Sequence, residues 1–181
     1  MFSRLKAISC GLALASLSVV LVAAPVQASS RDKAFFKGVS GTWKGPGQIV
    51  AGKYKGTKFV CNLNGTPPDD GTGITLEGSC RVGMFKQPMK AVITANRGSY
   101  TGSFLDGAGG KGLDIVSGNV TGNKIVVGIN RAKLNGAMIA RLQGENTMNV
   151  TISVKVEDQM IPVIGMTLNR QVDEVSVGSI K

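Results

Sequence analysis

From residue 41 onward, apolar and polar side chains alternate singly along short stretches, and clusters of Gly, Asn, Asp and Pro separate those stretches. A period of two puts every second side chain on one face of an extended strand, so the chain reads as an antiparallel β protein. Helical spacing is nearly absent. The first strand is expected over 41–51, with Gly45-Pro46-Gly47 as a bulge or edge kink and Trp43 as an early core anchor. The second, 57–63, aligns Phe59, Cys61 and Leu63, and the third, 74–84, aligns Ile74, Leu76, Gly78, Cys80 and Val82. The segment 64–73 between them consists almost wholly of turn formers. Further strands are expected over 89–95, 99–105, 114–120, 124–129, 133–142, 148–156 and 160–169, with glycine-bearing turns between several of them.

About ten strands in succession form a meander, and sheets of that length close into a barrel or, as the alternative, fold into a β-sandwich. Closure removes exposed edges. The expected organisation is an N-terminal segment over 29–40, one β-barrel domain over 41–170 and a loose tail over 171–181. A short helical or 3₁₀ turn near 32–37 is expected to cover one end. In such a barrel Trp43, Ile125, Val127, Ile129, Met138, Met148, Val150, Ile152, Ile164 and Met166 are the candidate ligand contacts, since soft methionines suit either core filling or an adaptable apolar cavity.

Residues 1–28 have a different pattern. Arg4 and Lys6 precede an apolar stretch over 7–24 that ends at Val26-Gln27-Ala28, the order of a cleaved secretory signal, with cleavage expected after Ala28. The alternative is a membrane anchor, but Ser9, Ser16 and Ser18 make the stretch weakly apolar for a span of roughly 20 residues. No later segment is apolar enough to span a bilayer as a helix. Export to a bacterial periplasm or beyond is therefore the expectation.

Export changes the reading of the cysteines. Cys61 and Cys80 remain after cleavage, and an even count in an oxidising compartment favours a disulfide. If the second and third strands pair across the intervening loop, residue numbers opposite one another keep a nearly constant sum and the two cysteines face each other.

The chain has a formal net charge of +10, and removing Arg4 and Lys6 leaves about +8. Such a charge favours anionic surfaces. Lys53, Lys55 and Lys58 are the densest group, and Arg131, Lys133 and Arg141 a looser one. A nucleic-acid partner is not expected, because no reading motif is present.

There is no histidine, so Ser-His-Asp and Cys-His arrangements are impossible. Glu77, Asp106, Asp114 and Glu157-Asp158 read as surface or turn carboxylates. The run Asp106-Gly107-Ala108-Gly109-Gly110-Lys111-Gly112 departs from the P-loop pattern and lacks a following helix, so it reads as a hairpin loop. No catalytic site, cofactor or metal is expected.

Ser40-Gly41-Thr42-Trp43-Lys44-Gly45 at the head of the meander resembles the opening of calycin barrels, the lipocalin and fatty-acid-binding group together with the nitrobindin-like proteins. In that group Gly-x-Trp begins the first strand and the tryptophan closes one end of the barrel. Nitrobindin-like proteins hold haem through a histidine, which this chain lacks, so haem carriage of that kind is excluded. Where lipocalins carry bulky residues, glycine recurs here at Gly78, Gly83, Gly102, Gly118, Gly128, Gly136 and Gly165. Those glycines are either bends that tighten the barrel or small groups lining a cavity. The resemblance implies an exported, non-catalytic binding protein for a small apolar or amphipathic ligand. The alternative is an envelope interaction or inhibitor protein acting through the loop 64–73, stapled by the Cys61–Cys80 bridge. An anionic envelope component is a further possible partner.

Overall fold

A computed structural model of the protein describes residues 30–105 and 112–171. The expected signal and its cleavage site at Ala28, most of the glycine-rich run 106–112, and the tail beyond residue 171 lie outside the described residues.

One helix, α1 (Ser30–Val39), precedes ten strands: β1 (Gly41–Ile49), β2 (Lys58–Thr66), β3 (Gly73–Val82), β4 (Phe85–Asn96), β5 (Ser99–Leu105), β6 (Leu113–Thr121), β7 (Lys124–Arg131), β8 (Leu134–Gln143), β9 (Thr147–Val156) and β10 (Gln159–Arg170). Each strand pairs antiparallel with its sequence neighbours, and β1 pairs with β10, giving a closed barrel. The β-sandwich alternative is thereby set aside. A sandwich would leave β1 and β10 as edges, whereas here the ladder from Trp43↔Arg170 to Ile49↔Ile164 joins them.

The alternation sorts the wall. Trp43, Cys61, Ile74, Ile93, Tyr100, Ile125, Val127, Ile129, Met138, Met148, Ile152 and Leu168 form one buried cluster inside the barrel. Their strand neighbours, such as Lys44, Asn62, Glu77 and Lys90, face outward and are exposed. An apolar interior behind a polar wall is the reverse of a transmembrane barrel. Among the described residues no helix is long and apolar enough to cross a membrane.

Several expectations change in detail. Gly45-Pro46-Gly47 makes no bulge: β1 runs through it in unbroken register with β2. The register shifts fall instead in β6, between Ile115 and Ser117, and in β10, between Pro162 and Ile164. Asn64, Gly65 and Thr66 belong to β2 and not to the loop, because Gly65 presses against the Val39 carbonyl while Asn64 and Thr66 face outward.

The glycines split by position. A Cβ on Gly78 would overlap the Asn62 carbonyl oxygen, and one on Gly102 the Val92 carbonyl oxygen, so these positions mark close backbone approach between neighbouring strands. At Gly83 and Gly165 a Cβ meets open space.

The helix is a full ten-residue element and not a single turn, with Phe35, Phe36 and Val39 buried. Asp32 in its first turn and Lys37 in its last suit the helix dipole. Its last carbonyls, which no intrahelical N–H can satisfy, all find donors. Ser40 N–H donates to the Phe36 carbonyl and the Ser40 hydroxyl to Lys37; Trp43 Nε1–H donates to Val39 at 2.8 Å; Arg170 donates to Gly38 and Ser40. Gly41, at φ 98°, turns the chain from the helix into β1. The helix is thus bonded into one end of the barrel as a floor.

Candidate functional site

Inside the barrel, above the floor, lies a cavity of about 60 Å³. Phe35, Phe36 and Val39 of α1 form its base, and Leu63, Ile74, Leu76, Ala91, Ile93, Phe104, Ala140 and Leu168 contribute walls. Both bridged cysteines face it. Of the residues expected to touch a ligand, Ile125, Met138, Met148, Val150, Ile152 and Met166 line it, and Trp43, Val127, Ile129 and Ile164 pack in the surrounding core. Met89 is a further lining methionine, which the sequence reading placed on a strand without assigning it inward. The alternation of β4 identifies it, two residues from buried Ala91.

The cavity is small. An apolar void of about 150 Å³ holds a benzene-sized molecule, so anything longer enters only if lining side chains yield. Met89, Met138, Met148 and Met166 are unbranched and the best suited to do so.

The two barrel ends differ. At the floor, Tyr100 Oη–H donates to Asp32 Oδ2 at 2.8 Å and its ring meets Phe36 edge-on at 5.1 Å. Burial, then the hydrogen bond to Asp32, pushes the Tyr100 phenol well above its ordinary range. At the far end the inward rows of β3, β8 and β9 stay apolar but lose their cover, while that of β4 carries Gln87 and that of β7 ends at Arg131. Along β3 the row passes from buried Ile74 to Val82, 42% exposed; along β4 from Ile93 to Phe85, 83%. Along β8 it passes from Leu142 to Leu134, 39%, and along β9 from Met148 to Val156, 53%. Along β3, β8 and β9 an apolar row therefore runs from the floor to the exposed rim of a mouth.

Cations surround that mouth. Lys53, Lys55 and Lys58 lie in and beside the β1–β2 loop, Arg81 and Lys86 flank the β3–β4 turn, and Arg131 and Lys133 lie at the β7–β8 turn. Arg131 occupies an inward position and donates through Nε to the Gly112 carbonyl at 2.7 Å. Among the described residues the acidic ones of this end are Asp114, Glu157 and Asp158, and Asp158 lies 3.7 Å from the Lys155 ammonium.

Cys61 and Cys80 form the expected disulfide, as directly opposed residues of β2 and β3 with Cα atoms 4.0 Å apart. The bridge does not clasp the β2–β3 loop. Five paired rungs, from Asn62↔Ser79 to Thr66↔Thr75, separate it from residues 67–72. The loop is held locally instead, by Thr72 N–H donating to Asp70 Oδ1 at 2.9 Å and Ala95 N–H donating to the Thr72 carbonyl at 3.0 Å. Glu77 pairs with Lys90 on the outer wall. Among the described residues no group of three His, Cys, Asp or Glu side chains is placed to hold a metal.

No family model matches the sequence, and no curated protein matches it. Among solved structures, the crystal structure of Rv2717c from M. tuberculosis is similar, with a TM-score of 0.57 and 12% identity, over 81% of this chain and 100% of that one. At that identity the likeness is one of fold. A closed barrel of ten antiparallel strands is compatible with the calycin-like architecture that the Gly-x-Trp opening suggests.

Proposed function

We propose that this protein is an exported, non-catalytic carrier of calycin type, which takes a small apolar or amphipathic molecule into the barrel through the mouth opposite α1. The observation that carries this reading is the apolar inward row that continues along β3, β8 and β9 from the cavity to the exposed rim at Val82, Leu134 and Val156, with Phe85 beside Val82. Exposing large apolar groups at that rim gains nothing for a purely structural core. The disulfide fits an oxidising compartment outside the cytoplasm.

The size of the void favours a narrow form of ligand. The resting void admits only a narrow chain or a compact apolar group, and the methionine side chains supply the adjustable part of the volume. A polar or anionic head would remain at the mouth among the rim cations, next to Arg131. An inhibitor acting through residues 67–72 has less support, because the bridge lies several rungs from that loop.

Native mass spectrometry of the exported form purified from its own compartment, followed by organic extraction, tests the reading. A reproducible co-purifying apolar or amphipathic molecule is the expected result. A clean apo mass that also refuses titration with medium-chain fatty acids overturns it.

A further inference from the structure

The most exposed apolar side chain of the described residues is Met84, 95% accessible, and it sits beside Phe85 at a two-residue turn. Gly83, at φ 55°, makes that turn possible and leaves its tip uncovered. Just outside the apolar tip, Arg81 and Lys86 stand directly opposite each other on the ladder, both outward. Like charges at such a cross-strand pair destabilise a sheet, and among the described residues neither has an ion-pair partner. The neighbouring β1–β2 loop repeats the arrangement: Tyr54, 63% exposed, lies between Lys53 and Lys55. Across the described residues, all large apolar side chains exposed to solvent lie toward this mouth, and the helix end has none. Scattered surface hydrophobics would not be confined to one end.

We propose that the β3–β4 and β1–β2 tips dock the protein, mouth first, on the surface of a bilayer containing anionic lipid. Apolar tips flanked by cations match such an interface: Met84, Phe85 and Tyr54 enter the headgroup boundary while the basic stems reach anionic headgroups. A second copy of the chain fits the same face poorly, because symmetric contact would set cations against cations. Docking does not depend on the interior holding a ligand. Where it does hold one, the mouth would open on the phase in which that ligand dissolves.

Flotation of the exported form with vesicles tests this, using phosphatidylcholine alone and phosphatidylcholine with one-third phosphatidylglycerol. Binding is expected to the anionic vesicles and to weaken as salt rises. Each cation at such a surface is worth about fivefold in partition, so Arg81→Gln with Lys86→Gln should lower it by more than about tenfold. Met84→Ser with Phe85→Ser should also release the protein; because these side chains contact little of the fold, an unchanged melting curve confirms that the variant is folded. Lys124→Gln with Arg141→Gln removes the same charge at the floor end and should leave partition nearly unchanged. No binding to either vesicle, an equal loss in both charge variants, or full binding by the Met84/Phe85 variant overturns the proposal. Fatty-acid titration without vesicles reports separately on the interior, so the two readings can fail independently.

Discussion

The guanidinium carbon of Arg170 lies 4.4 Å from the centre of the Trp43 indole, across the rung where β1 and β10 close the barrel. The same side chain donates to the Gly38 and Ser40 carbonyls at the end of α1 and to the Glu145 carbonyl of the β8–β9 turn. One residue thus joins barrel closure, helix floor and turn. Arg170→Ala should cost about 2–4 kcal/mol, from the lost charge-assisted bonds and the cation–π contact. Arg170→Lys should recover little, since an ammonium lacks the planar fork that reaches several carbonyls. Denaturant unfolding checks both, and a cost below about 0.5 kcal/mol for Arg170→Ala would show that the floor is held without it.

The bridge should be a staple of the sheet and not of the loop. Cys61 and Cys80 are 19 residues apart, and closing a loop of about that length stabilises by about 3 kcal/mol on the chain-entropy account. Cys61→Ala with Cys80→Ala is expected to lose that amount, and reductant should lower the denaturation midpoint of the native protein while leaving the variant's unchanged. Equal response of the two proteins to reductant would contradict the bridge.

Much of this was legible from alternation because a barrel wall has one wet and one dry face, and a slip of one residue would exchange them. The near-constant residue sum across the second hairpin led to Cys61 opposite Cys80, and the strands were readable to within a few residues at most ends. The floor was not. Residues 30–39 include Phe35 and Phe36 among charged neighbours, a pattern too short to show a helical stripe, and their burial depends on where the barrel end lies. The close approaches at Gly78 and Gly102 were equally hidden, since a glycine looks the same whether it clears a path for backbone or for a ligand. The mouth was missed because Val82 and Phe85 continue the inward alternation of buried residues, and only closure shows that nothing covers them.

These close approaches give a direct test. At Gly78 and Gly102 the obstacle is a carbonyl oxygen of the adjacent strand, which cannot rotate away as a side chain would. Gly78→Ala and Gly102→Ala should each cost about 1–3 kcal/mol as overpacking. Gly165→Ala, where nothing lies near, should change stability by less than about 0.5 kcal/mol. Equal effects at the three sites in urea unfolding would argue against close approach as the cause.

Tyr100 predicts an alkaline limit. Its phenol is held protonated by burial and by donating to Asp32, so its folded-state pKa stands above the unfolded value of about 10. Folding then binds the proton more tightly than the unfolded chain does. The associated stability is complete below pH 10 and falls as pH rises from there toward the folded pKa. Tyr100→Phe keeps the ring contact with Phe36 and removes the titrating proton, so it should be less stable at pH 8 by about 1–3 kcal/mol and lose less than the native protein between pH 10 and 12. Parallel stability curves for the two proteins in that window would sink the assignment.

The cavity can be tested by filling it. Ala91, buried on β4, faces the void, and Ala91→Val adds two carbons on a β-branched side chain that suits a strand. If the cavity of about 60 Å³ is open space, those carbons gain contacts without displacing others, and stability should rise by about 0.5–2 kcal/mol. The same carbons occupy the volume that a ligand chain would use, so affinity for a medium-chain fatty acid should fall in the variant that has become more stable. Opposite movement of stability and affinity distinguishes a binding cavity from ordinary core, where a larger residue costs about 1–3 kcal/mol and changes no binding. Destabilisation together with unaltered ligand uptake would place any ligand outside this cavity, nearer the mouth and its rim.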